Sequence, residues 1–131
     1  MPRPKVYVTR IIPPPGLEIL KEHCEVKLHN SIYPPSREEL LKKVKDKDGL
    51  LCLLTDKVDG ELMDNAPNLR VVSTFSVGYD HIDVNEATKR GIYVTNTPRV
   101  LMEAVADLTG ALLLAVARKI VRANKYVRTG K

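Results

Sequence analysis

Short apolar runs alternate along the chain with polar, helix-compatible stretches, and this alternation predicts its elements. Lys5 to Thr9 is a β-branched and aromatic run that breaks at Ile12-Pro13-Pro14-Pro15-Gly16, a segment that no strand or helix interior accepts. Pro14 and Pro15 suit a first helical turn, and Leu17, Ile19 and Leu20 supply the apolar set of a short helix. Glu25 to His29 alternates as a strand does. Ser36 stands three residues before Glu39, the spacing of a capping box, so a helix resumes at Arg37 with Leu40, Leu41 and Val44 as its stripe. Leu50 to Leu54 is continuously apolar and bounded by Gly49 and Asp56, the pattern of a strand buried on both faces. Asp59 to Asn65 reads as helix, Arg70 to Phe75 as strand, Val84 to Arg90 as helix stopped by Gly91, and Ile92 to Val94 as a fifth strand.

Five strands alternating with four helices argue for an α/β fold with an open parallel sheet and helices on both faces. Right-handed crossovers favour a flavodoxin-like arrangement. The character changes after Asn96-Thr97-Pro98: Leu101 to Val121 reads as one long helix, apolar around much of its circumference. Such a helix expects a second domain or a second subunit against it. The predicted division is a sheet domain over residues 1–98 and a connecting helix over residues 99–131.

Composition changes this picture little. The chain has 131 residues, 44% apolar and 28% charged, as one folded domain would. The net charge of +5 is concentrated in Arg118, Lys119, Arg122, Lys125, Arg128 and Lys131. Only Tyr126 accompanies them, so a solvated helix face or subunit contact is expected and a nucleic-acid site is not. Cys24 and Cys52 fall in segments that read as strands and are expected to be free buried thiols in a reducing, cytoplasmic setting. Neither a secretory signal nor a membrane-spanning run is recognisable.

Ligands gather at the carboxyl ends of strands in open parallel sheets, which directs attention to Leu54-Thr55-Asp56, Ser76-Val77-Gly78-Tyr79-Asp80 and Thr95-Asn96-Thr97-Pro98. Gly78 lets consecutive N–H groups line one concavity, a nest able to hold a carboxylate. The plainer alternative is a strand-to-helix turn in which Gly78 supplies an unusual φ and Asp80 caps the next helix. His81 is expected to face solvent at that helix start. His23 and His29 lack the paired spacing of a zinc site, and no Ser/His/Asp or Cys/His nucleophile arrangement can be argued. No G-x-G-x-x-G occurs among the seven glycines.

Val77-Gly78-Tyr79-Asp80-His81-Ile82-Asp83, Ala87-Thr88-Lys89-Arg90-Gly91-Ile92 and Val94-Thr95-Asn96-Thr97-Pro98 together resemble the D-2-hydroxyacid dehydrogenase family. Leu50 to Asp59 and Val6 to Arg10 look most like its glyoxylate reductase/hydroxypyruvate reductase members. The resemblance implies a substrate-binding domain plus connecting helix, from an enzyme that reduces 2-keto acids with NADPH or NADH. By the same resemblance, the N–H groups of Val77 and Gly78 hold the substrate carboxylate and Leu54 forms part of the pocket wall. Val105 stands where relatives touch the nicotinamide end of the cofactor, and the Leu101–Val121 helix implies a homodimer. Many relatives carry hydroxyl residues at the positions of Met102 and Val105, so a helix-starting hydroxyl is missing here. The family's Gly-rich loop and its catalytic arginine, acid and histidine correspond to no residue of this chain, which is therefore expected to be inactive alone.

Two readings compete with a reductase. A stand-alone flavodoxin-like module is poorly served by Thr9-Arg10-Ile11, where a phosphate-receiving regulator wants acids, and by Pro13-Pro14-Pro15, where a flavin-phosphate loop wants small hydroxyl residues and glycine. A dinucleotide-sensing corepressor would share the fold and motif order.

Overall fold

The computed structural model describes residues 2–130; Met1 and Lys131, the last of the basic residues noted above, lie outside the described residues. The elements run β1 (Lys5–Val8), α1 (Pro14–His23), β2 (Glu25–Leu28), α2 (Arg37–Lys43), β3 (Gly49–Cys52), α3 (Gly60–Asp64), β4 (Val71–Thr74), α4 (Val84–Lys89) and β5 (Tyr93–Thr95), then α5 (Met102–Ala117) and α6 (Ile120–Arg128). All strand pairings are parallel and the order is β2-β1-β3-β4-β5, the flavodoxin-like order. The chain divides into two compact units, Met1–Thr97 and Pro98–Lys131.

The period-2 alternation of a strand sends neighbouring side chains to opposite faces, and here both faces receive apolar residues. On one face Tyr7, Leu50, Cys52 and Val72 pack with Leu40 and Val44, with Leu62 and Met63 of α3, and with Ala87 of α4. On the other, Val6 and Val8 pack with Leu17 and Leu20 of α1 and with Leu51. This two-sided burial accounts for the unbroken apolar run of β3. The run nevertheless leaves the strand early: β3 ends at Cys52, and Leu54 is 61% exposed.

Local chemistry sets the helix boundaries. Ser36 Oγ accepts the Glu39 N–H at 3.2 Å, but the Glu39 carboxylate lies 3.4 Å from His29 Nδ1, so only half of the expected capping box forms. Asp59 caps α3 by accepting the Leu62 N–H at 3.1 Å. Burial pushes the Asp59 carboxyl up, yet Arg37, Lys57 and the Leu62 N–H more than offset this and hold it at about 2. Gly91, at φ 68, follows α4 in the left-handed conformation that lets a chain leave a helix.

The single helix expected over Leu101–Val121 is two. α5 stops at Ala117, the Arg118 N–H closes on the Leu114 carbonyl at 2.9 Å, and Lys119 adopts φ 54 and ψ 35 before α6 begins. Lys119 thus occupies the left-handed position after a helix end that glycine usually takes, and a lysine there gives no warning in sequence. The cap position of α5 is Leu101, one residue before Met102, and no side chain caps the helix. Leu108, Leu112, Leu113 and Leu114 are all exposed. Cys24 differs as well: it ends α1 instead of lying in a strand, and it is only partly buried.

Two leucines four residues apart should therefore behave oppositely. Leu50→Ala, at a site 2% exposed, is expected to cost about 2–5 kcal/mol in urea unfolding, whereas Leu54→Ala should stay within about 0.5 kcal/mol. Comparable losses at both positions would contradict the placement of the β3 end.

Candidate functional site

The site is built where β1, β3, β4 and β5 end. Past β3 the chain turns through Leu53–Asp56, and Asp56 closes that turn twice: its N–H donates to the Leu53 carbonyl at 3.0 Å, and its Oδ2 accepts the Leu53 N–H at 2.8 Å. Oδ2 also accepts from Thr9 Oγ1 at 2.5 Å, while Arg10 lies 3.7 Å from Oδ1 and donates to Thr55 Oγ1. Asp56 is only 3% exposed, so this carboxylate is tied on several sides, as a buried charge must be. The turn it fixes presents Leu54.

Past β4 the loop Ser76-Val77-Gly78 has every carbonyl engaged. The Ser76 carbonyl accepts the Thr97 N–H at 2.9 Å, the Val77 carbonyl accepts Asn96 Nδ2 at 2.7 Å, and the Gly78 carbonyl accepts Ser76 Oγ at 2.7 Å. With their carbonyls turned to the protein, Val77 and Gly78 keep their N–H groups without an acceptor among the described residues. Consecutive free donors of this kind give the loop the first requirement of an anion nest. Leu54 flanks it: a Cβ placed on Gly78 would sit 4.0 Å from Leu54 Cδ2 and 3.8 Å from Asp80 Oδ2. Leu54, Val77 and Gly78 are thus brought together.

The detail differs from the sequence reading in three ways. Gly78 is not among the residues with positive φ, so the glycine there supplies no unusual backbone angle. Asp83, not Asp80, caps α4, accepting the Glu86 N–H at 2.9 Å. His81 does not face solvent at a helix start: its Nε2 lies 3.0 Å from Thr74 Oγ1 and 3.8 Å from Cys52 Sγ. The backbone here is stitched to the loop before α3, with Val58 N–H donating to the His81 carbonyl and Asp83 N–H to the Val58 carbonyl. That pairing of Val58 with Ile82 turns the ring inward.

Proton counting fixes the direction of this network. The Ser76 hydroxyl proton is committed to the Gly78 carbonyl, so the 2.6 Å contact with Thr74 needs the Thr74 proton. Thr74 then has none left for His81, and His81 Nε2 must carry one. Burial lowers the His81 pKa against the pull of Asp56 and Asp80, which favours the neutral ring with Nδ1 bare. Burial also pushes the Cys52 thiol up to about 12, helped by Asp56, so it is not a nucleophile.

Residues 6–127 match the family described as D-isomer specific 2-hydroxyacid dehydrogenase, catalytic domain. The chain belongs to this family. It is 67% identical over 132 residues to the glyoxylate reductase of Thermofilum pendens, covering 100% of this chain and 39% of that protein. Among solved structures, the TT0316 protein from Thermus thermophilus superposes with a TM-score of 0.86 at 48% identity, covering 96% of this chain and 40% of that one. The NADPH-dependent glyoxylate/hydroxypyruvate reductase from Sinorhizobium meliloti, in complex with NADP and malonate, gives a TM-score of 0.73 at 37% identity, covering 98% and 39%. The chain thus spans about two fifths of the length of the relatives it matches.

Val105 lies on α5 in the second unit, 59% exposed, with its N–H bonded to the Leu101 carbonyl and its carbonyl to Thr109 Oγ1. It offers an apolar surface and no polar group to a ligand. Among the described residues no group of three or more His, Cys, Asp or Glu is arranged to hold a metal ion. No described helix is long and apolar enough to cross a membrane. The residues that sequence reasoning left without a role are Asp56, Thr74, Ser76 and the Asn96 side chain, all at strand ends. Their only sequence signal is a polar side chain at or shortly after the end of an apolar run.

The proton count is open to a direct test. Long-range ¹H–¹⁵N correlation of the imidazoles at pH 7.5 should show His81 as the Nε2–H tautomer. An Nδ1–H tautomer would mean that the His81–Thr74–Ser76 chain does not run as drawn.

Proposed function

We propose that this chain is the substrate-binding part of an NADPH- or NADH-dependent reductase that converts glyoxylate or hydroxypyruvate to the 2-hydroxy acid. The observation that carries the reading is the pair of unengaged N–H groups at Val77 and Gly78, flanked by the exposed Leu54. A 2-keto acid presents a carboxylate next to its reactive carbonyl. Two backbone donors on a fixed loop hold that carboxylate without a cationic side chain, and Leu54 gives the small carbon skeleton an apolar wall. Arg10, the cation that follows β1, directs its Nη2 to Asp56 and Thr55.

The cofactor would supply hydride to the keto carbon. In this chain only Val105 is assigned to it, as an apolar contact for the nicotinamide end. One helical valine cannot hold a dinucleotide, so the cofactor loop and the groups that polarise the carbonyl and deliver the proton are assigned to the part of the relatives that this chain does not span. The names of the similar proteins support the reductase over the corepressor reading. Residues 1–98 are read as the substrate domain and residues 99–131 as the connection to the dinucleotide domain. The exposed leucines of α5 support its use as a homodimer contact, and two free cysteines fit a cytoplasmic setting.

The chain extended through its native reading frame should oxidise NADPH or NADH in the presence of glyoxylate and hydroxypyruvate, while the 131-residue chain should not. In the extended protein Leu54→Ala should raise KM for the keto acid and leave KM for the cofactor within about twofold, as expected for a residue that meets only the substrate. Turnover by the short chain, or a folded extended protein without turnover, would refute the assignment.

A further inference from the structure

Both candidate donors are backed from the end of β5. The Val77 N–H shares its peptide with the Ser76 carbonyl, which accepts from the Thr97 N–H at 2.9 Å; the Gly78 N–H shares its peptide with the Val77 carbonyl, which accepts from Asn96 Nδ2 at 2.7 Å. A hydrogen bond to the oxygen of a peptide draws charge toward that oxygen and leaves the N–H a stronger donor, by roughly 10–30% per bond. It also fixes the peptide plane, and hence the direction in which the N–H points. The first of these bonds comes from backbone. The second comes from a side chain, and among the described residues nothing else donates to the Val77 carbonyl.

We infer that Asn96 is a positioning residue for the carboxylate site: its carboxamide orients the Val77–Gly78 peptide and strengthens the Gly78 N–H as a donor to the substrate. The role at the substrate rests on the reading given above, whereas the clamp itself does not. Asparagine suits the task because its Nδ2 donates; an aspartate of the same shape would set a carboxylate against the Val77 carbonyl and add a like charge near the bound anion. The Thr74–Ser76–His81 chain serves a different peptide. It ends on the Gly78 carbonyl, whose partner N–H belongs to Tyr79, so the two contributions are separable.

The test is amide NMR on the ¹⁵N-labelled 131-residue chain, unsubstituted and as Asn96→Ala and Asn96→Asp, without ligand and with oxalate as the carboxylate probe. Without ligand, both substitutions should move the Gly78 amide proton upfield and leave the Val77 amide, still backed by Thr97, nearly in place. Oxalate should shift the Val77 and Gly78 amides of the unsubstituted chain, with binding weakened about 3- to 10-fold in Asn96→Ala and further in Asn96→Asp. The isosteric Asp variant keeps the test decisive should the Ala variant fold poorly. An unmoved Gly78 amide with unchanged oxalate affinity overturns the inference. If oxalate moves neither amide of the unsubstituted chain while Asn96→Ala still moves that of Gly78, the carboxylate reading falls, and the site role of Asn96 with it, but the clamp stands.

Discussion

A strand that runs off the end of a parallel sheet loses its ladder partners while its peptide groups still require them. In the loop past β4 that demand is met on the acceptor side. Ser76, Val77 and Gly78 each have a carbonyl bonded back into the sheet unit, from Thr97, Asn96 and Ser76 in turn. What remains is a short stretch of backbone whose oxygens face the protein and whose nitrogens do not. The proposed carboxylate site rests on this balance of donors and acceptors and on no charged side chain.

The buried Asp56 does the corresponding work one strand over. A carboxylate 3% exposed is costly unless its oxygens are engaged, and Thr9, the Leu53 N–H and Arg10 engage them. The result is a turn that places Leu54 beside Gly78. His81, turned inward by the Val58–Ile82 pairing, completes the support through Thr74 and Ser76. Packing thus fixes the framework, and hydrogen bonds at the strand ends set the donor directions.

The order of strands and helices could be read from hydrophobic spacing, because β3 is apolar throughout and the helices carry clear stripes. The resemblance carried by Val77 to Pro98 led to Leu54, Val77 and Gly78, which the structure does bring together. Details that depend on three-dimensional partners could not be read. Leu54 looks like strand interior because nothing in Leu50–Leu54 marks the turn that Asp56 closes from beyond it. Lys119 breaks the long helix in a conformation that sequence normally signals with glycine. Glu39 has capping-box spacing, yet its carboxylate pairs with His29, a residue supplied from the end of β2. The Asn96 clamp joins residues nineteen apart, which no local pattern records.

The most direct test of this account is a crystal structure of the chain extended through its native reading frame, with NADP and oxalate bound. The account requires one oxalate carboxylate within about 2.7–3.2 Å of both the Val77 and Gly78 nitrogens, with Leu54 against the ligand. Oxalate bound elsewhere, or those two nitrogens facing solvent in a ligand-bound enzyme, would contradict it.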